Sequence, residues 1–243
     1  MSDSPRPQAT LARAGFPYAS WLLSLLCLTL AWDASGLDLT VMSWLGDPAG
    51  FALRDHPLLA NVLHDGARRL GWVLWAGVAV SAWYPWGPFR RLSKAQRLEA
   101  VSGILLSLIV INLIKYNSLT SCPWDLSPFG GTARFVSHWD WLTRDGGPGR
   151  CFPGGHASAG FAFIALAWPW VYSTQPADQQ LGQRVLLAAL IAGLVLGAVQ
   201  TLRGAHYPSH TLWTALMCWG VSWAWHWVLH RLVHQRATRQ PER

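Results

Sequence analysis

The chain has 243 residues, 51% hydrophobic and 13% charged, where soluble domains carry about a quarter charged residues. That balance excludes an ordinary soluble globular domain. The formal net charge of +7 comes from basic residues dispersed among apolar runs, which excludes a nucleic-acid-binding surface.

Apolar runs of about 20 residues are long enough to cross the hydrocarbon core as helices. Six such runs occur, at 17–34, 70–86, 99–116, 156–174, 184–203 and 211–231. The expectation is one all-α domain over 17–231, a six-transmembrane-helix bundle, between an N-terminal tail (1–16) and a basic C-terminal tail (232–243) that frays from Arg231 near anionic head groups. The 17 Trp residues suit aromatic belts at the two interfaces. A signal peptide is the alternative for the first run, with Arg6 and Arg13 ahead of its apolar core. The run is long for that, and no clean A-x-A site follows it.

Between the first two runs, Gly50–Leu70 spaces Phe51, Leu53, Leu58, Leu59, Val62, Leu63 and Leu70 near a helical period. It reads as an amphipathic helix lying on the outer surface. Its polar face (Asp55, His56, His64, Asp65, Arg68) reads as solvated, with His64 and Asp65 available to a lid or a head group. The short loop 89–97 carries Arg90, Arg91, Lys94 and Arg97, and this sets the orientation. Both termini and that loop are expected in the cytoplasm. The loop 117–155, rich in Gly, Pro, Trp and Asp, lies outside and has the length of a functional lid. Cys122 and Cys151 share it, and an oxidising compartment permits a disulfide there. Cys27 and Cys218 lie in apolar runs as packing residues.

The chemistry gathers at one membrane face. Lys115 closes the third run, Pro153-Gly154-Gly155-His156 opens the fourth, Arg203-Gly204-Ala205-His206 closes the fifth and His210 opens the sixth. A Lys or Arg at a span end is often only a snorkelling anchor. Cations gathered with imidazoles suit a phosphate ester, which needs charge to hold it and a nucleophile to attack it.

Lys115-(six residues)-Cys122-Pro123, then Pro153-Gly154-Gly155-His156, then Gly204-Ala205-His206-Tyr207-Pro208-Ser209-His210 resembles the type 2 phosphatidic acid phosphatase (PAP2) superfamily, whose pattern is K-x6-R-P, P-S-G-H and S-R-x5-H-x3-D. The resemblance implies a metal-independent phosphatase or phosphotransferase with no cofactor, and the charge placement turns its site to the periplasm. In it His206 is the nucleophile that forms a phosphohistidine, and His156 protonates the leaving group. Lys115, Gly154, Gly155 and an arginine hold the phosphate. The departures are Cys122 for the first-motif Arg, Gly154 for Ser, Gln200 for the third-motif Arg and His210 for Asp. The resemblance leaves Arg203 to replace the third-motif Arg, Arg134 or Arg150 to replace the first, and His210 to accept the Nδ1 proton of His206. Asp125 or Asp65 is the candidate for the missing carboxylate.

The implied partners are a lipid phosphate or pyrophosphate and membrane lipids, in a bacterial inner membrane. Undecaprenyl pyrophosphate, phosphatidylglycerol phosphate, phosphatidic acid and a lipid A phosphate all stay open, as do the acceptor and the oligomeric state. A catalytically eroded protein that binds anionic lipid is one competing reading. A metal-binding protein using His156, His206, His210 and Cys122 or Cys151 is another. Against the latter, no H-x-x-x-H helix with a nearby carboxylate is read in the sequence, and Pro208 interrupts His206–His210.

Overall fold

The computed structural model describes residues 7–239, with side chains from Pro17 onward except a few near the C-terminus. It is largely helical. In chain order α1 is Pro7–Ser35, α2 Leu37–Leu45, α3 Ala67–Ser81, α4 Lys94–Asn117, α5 Ser158–Phe161, α6 Ile164–Val171, α7 Pro176–Leu202 and α8 Pro208–Arg239. A two-stranded ribbon, β1 (Gly46–Asp47) against β2 (Gly50–Phe51), follows α2.

By length and apolarity, α4 and α7 can each cross a membrane, and Pro17–Ser35 with α2 makes a third candidate bent by 72°. Among the described residues this is fewer than the six crossings expected. The run 70–86 stops as a helix at Ser81. The run 156–174 is divided into α5 and α6 because the backbone tightens to three-residue hydrogen bonds at Ala162 and Phe163. The C-terminal segment expected to fray continues α8 to Arg239. Gly50–Leu70 is not one amphipathic helix. Its first residues form β2 and a turn, and Leu58–Gly66 is π-helical and runs directly into α3.

The core lies where α4, α5, α6, α7 and α8 meet, around Ile111, Phe161, Ile164, Trp168, Leu186 and Trp219. A methyl group on Gly160 of α5 would strike the backbone of Gly193, and one on Gly193 would strike the Phe161 ring. The two helices touch through backbone, as small residues allow between membrane helices. α4 starts cleanly because Ser93 Oγ accepts from Gln96 N (3.2 Å) while Ser93 N donates to Gln96 Oε1 (2.9 Å), a capping box. The outward faces show Leu23, Val73, Ile109, Leu113, Leu187, Ile191 and Val195 to the surroundings. So much exposed aliphatic surface is a cost in water and a match to lipid. The protein is a membrane protein.

Candidate active site

α7 ends in a left-handed Gly204 (φ 76°), with Ala205 N donating to Gln200 O (2.8 Å) and Gly204 N to Thr201 O (3.0 Å). This is a Schellman cap. The Phe51 ring lies where a side chain at 204 would project, so only glycine fits. The turn swings His206 back beside Gln200, and α8 restarts at Pro208, which has no N–H to orphan.

The loop 117–155 has no α-helix and is stitched to that turn. Trp124 N donates to Gly204 O (2.9 Å) and Gly154 N to His210 O (3.3 Å), while Cys151 N donates to Thr120 O (2.9 Å) within the loop itself. Cys122 and Cys151 are joined as a disulfide, Cα–Cα 5.1 Å. The two sulfurs are therefore not free thiolates, and Cys122 is a staple where the motif has an arginine.

A cavity of about 650 Å³ results. Lys115, Gly155, His156, Gln200 and His206 line its polar end, with Cys122 and Trp124 beside them. From there it continues between α3 and α4 as an apolar trough of Trp72, Trp75, Ile104, Leu105, Leu108 and Ile109. His64, from the π-helical segment, and Arg68, in the first turn of α3, complete the polar end. Arg68 therefore does not lie on the solvated face that the amphipathic pattern of Gly50–Leu70 suggests. The i, i+4 spacing of His64 and Arg68 was the signal that could have placed them together on one side of a helix.

His156 Nε2 is buried with no hydrogen-bond partner among the described residues, and the His64 ring stacks on the His156 ring at 3.5 Å and 27°. His64 Nδ1 is in turn 2.9 Å from Asp65 Oδ1. Burial, then the nearby His64, Lys115, Arg68 and Arg203, pull His156 down to about 3. His206 is buried and held well below the ordinary imidazole range by burial first and the Lys115 charge next. At neutral pH it is an unprotonated imidazole, the form a nucleophile needs.

His206 Nδ1 lies 3.4 Å from His210 Nδ1 and 3.4 Å from Cys151 Sγ. His210 Nδ1 is also 3.1 Å from the Cys151 carbonyl oxygen, which can only accept. Two tautomer arrangements follow. With its proton on Nδ1, His210 donates to Cys151 O. With its proton on Nε2, His210 accepts from His206 Nδ1–H and leaves the His206 Nε2 lone pair free to attack.

The structure does not bring every expected residue to the cavity. Arg203 is buried outside its lining, donating from Nε to Arg54 O (2.8 Å) and from Nη1 to Gln200 Oε1 (3.2 Å). This leaves the Gln200 amide nitrogen, at the cavity wall, without a partner among the described residues. Arg134 is exposed, and Arg150 stacks over the Tyr116 ring at 4.5 Å, also outside the cavity lining. Gly154 packs on α8, and a side chain there would meet His210 O and Thr214. Asp125 accepts from Cys122 N (3.3 Å) and Asp65 pairs with His64. His206 therefore has an imidazole and a disulfide sulfur at its Nδ1 where the motif places a carboxylate.

The family model of the PAP2 superfamily matches residues 97–234, more than half of the chain. No curated protein and no solved structure matches.

Proposed function

The chain belongs to the PAP2 superfamily, and from that premise we propose that it is an integral membrane phosphatase that hydrolyses a lipid phosphate or pyrophosphate through a phosphohistidine. The observation that carries the reading is the continuity of one cavity. Its polar end holds Lys115, His156 and His206, and its trough is apolar and flanked by the half-exposed Trp72 and Ile109. A phosphate head group suits the first part and an acyl or prenyl chain the second.

In this mechanism Lys115 and Arg68 hold the phosphate oxygens and the Gln200 amide donates a further hydrogen bond, so charge developing on the transferring group meets donors already in place. His206 Nε2 attacks phosphorus, forming an N–P bond as the P–O bond to the lipid breaks. His156 gives its proton to the departing oxygen. Water then attacks the phosphohistidine, His156 takes the water proton, and inorganic phosphate leaves with His206 restored. The low proton affinity of His156 in the empty site is reversed by the anion itself, because a phosphate beside the unpartnered Nε2 favours the charged imidazolium. Arg203 fixes the Gln200 amide, and His210 in its Nε2–H form holds His206.

The proposed setting is six crossings with both termini cytoplasmic and the cavity opening on the periplasmic side of a bacterial inner membrane. The disulfide beside the cavity supports an oxidising side. The test is phosphate release from a panel of lipid phosphates in detergent with EDTA, by wild type and His206→Ala. Release in EDTA that disappears in the variant supports the reading. A folded wild type that binds these lipids and releases nothing overturns it in favour of an anionic-lipid binder.

A further inference from the structure

A second cluster of ionisable side chains lies at the end of the bundle away from the cavity. Glu99, in the second turn of α4, and His226 on α8 are both buried, with Glu99 Oε1 2.6 Å from His226 Nδ1. His230, one turn further along α8, is half-buried, and its ring centre is 4.3 Å from that of His226. The Tyr172 ring stacks on that of His226 at 4.5 Å and 14°. One ligand atom from each of Glu99, His226 and His230 lies within 4.8 Å of the other two.

We propose that Glu99, His226 and His230 form a binding site for a divalent transition-metal ion, with zinc the best match. Two imidazoles at i, i+4 project from one face of a helix, and a carboxylate comes from the helix packed against it. Two nitrogens and one carboxylate oxygen, with a fourth position for water, is a common zinc donor set. Zinc bonds to such ligands are about 2.0–2.2 Å, which places ligand atoms in a tetrahedral shell about 3.3 Å apart. The Glu99–His226 contact would open by less than an ångström to admit the ion, and half-buried His230 leaves a way in. A buried carboxylate also calls for a cation. The nearby arginine does not supply it, since Arg97 turns its guanidinium to the carbonyls of Phe89 and Leu92.

This site is separate from the catalytic one. Glu99 and Lys115 are sixteen residues apart on α4, about 24 Å along the axis. The grouping of Cys122, Cys151 and His206 is a weaker candidate because its sulfurs are bonded to each other. An ion held by Glu99, His226 and His230 clamps α4 to α8, the two helices whose other ends carry Lys115 and His210. The His226-x-x-x-His230 pair does not show itself as half of a site in the sequence, because its carboxylate lies 127 residues away from His226.

The test uses the full-length chain, purified without a histidine tag, stripped with chelator and titrated with cobalt(II). One equivalent per chain is expected, with the visible absorption of a low-coordinate cobalt site that zinc abolishes. His230→Ala, a change at a half-buried position, should weaken binding at least about a hundredfold, the upper end of what losing a supporting group alone costs. His156→Ala should keep the spectrum. Zinc should raise the melting temperature of wild type and not of His230→Ala. No cobalt spectrum at one equivalent, or a spectrum that survives His230→Ala and is lost in His156→Ala, overturns the proposal.

Discussion

Lys115 and Glu99 stand sixteen residues apart on α4, and His210 and His226 repeat that spacing on α8. The two ends of one helix pair thus carry related residue types in different states. At the cavity end, Lys115 and Arg68 lie near His156 and His206; among the described residues no carboxylate lines the same space, and His156 Nε2 and Gln200 Nε2 have no hydrogen-bond partner. At the far end the imidazole of His226 meets a carboxylate and is covered by Tyr172. Unpaired donors and surplus positive charge mark a place that waits for an anion. A carboxylate beside two imidazoles marks a place where a cation fits. Burial alone does not distinguish them, because His206 and His226 are both buried; what each side chain faces does.

The sharpest way to break this contrast is to remove one group from each end. His206→Ala should lower phosphate release about ten-thousandfold or more, as loss of a covalent nucleophile does, and leave thermal melting nearly unchanged. Glu99→Ala should do the reverse. Removing one member of a buried pair costs about 3–5 kcal/mol, seen as a lower denaturation midpoint, while kcat/KM of the folded fraction stays within about twofold of wild type. A loss of turnover in Glu99→Ala without loss of stability would join the two ends into one site.

Next in size is the staple. In the chain-entropy account, closing the loop between Cys122 and Cys151, separated by 29 positions, stabilises by about 3–4 kcal/mol. Cys122→Ser with Cys151→Ser should lose that much in denaturant unfolding, and reductant should reproduce the loss in wild type. A double variant as stable as wild type would mean that the hydrogen bonds to Thr120 and Gly204 hold the loop without help.

Arg68 tests which arginine serves the cavity. A charge-assisted hydrogen bond is worth about 1.5–3 kcal/mol, so Arg68→Ala should lower kcat/KM about ten- to a hundredfold in a lipid phosphatase assay. Arg134→Ala and Arg150→Ala should leave it near wild type. The opposite ranking would return the role to the loop 117–155.

The smallest effect is a shift in pH dependence. His156 is held low by burial first and by His64 next. His64→Ala uncovers the ring and removes that neighbour, so His156 keeps its proton to higher pH. The alkaline limb of kcat/KM, which reports loss of the acid's proton in the free enzyme, should move upward. A limb that stays or moves down would show that the stacked ring does not set the acid.

The parts of this arrangement that were legible in the sequence are those carried by local pattern. α4 and α7 are long, continuous apolar runs, and the start of α8 is marked by Pro208. Lys115, His156 and His206 sit at segment ends in spacings that resemble the superfamily motifs. What was not legible depends on distance through space. Arg203 looked like a phosphate ligand three residues after Gln200, yet at that spacing it reaches the Gln200 side chain and carries Gln200 to the cavity. The exposure of the His64–Arg68 face is decided by where the π-helical segment packs, which no periodicity reports. The break in the run 156–174 lies in a local tightening of the backbone at Ala162 and Phe163, which an unbroken apolar run does not announce. Pairing of Cys122 with Cys151 required their Cα atoms to be about 5 Å apart, which spacing alone does not determine.

The central claim is that His206 becomes covalently phosphorylated. Rapid acid-free quenching of the enzyme with a lipid phosphate labelled in its phosphoryl group tests it most directly. The account predicts a labelled protein whose bond is stable in alkali and labile in acid, with the label on His206 and absent from His206→Ala. Turnover with no labelled protein at any quench time, or a label on another residue such as Ser158, would contradict it.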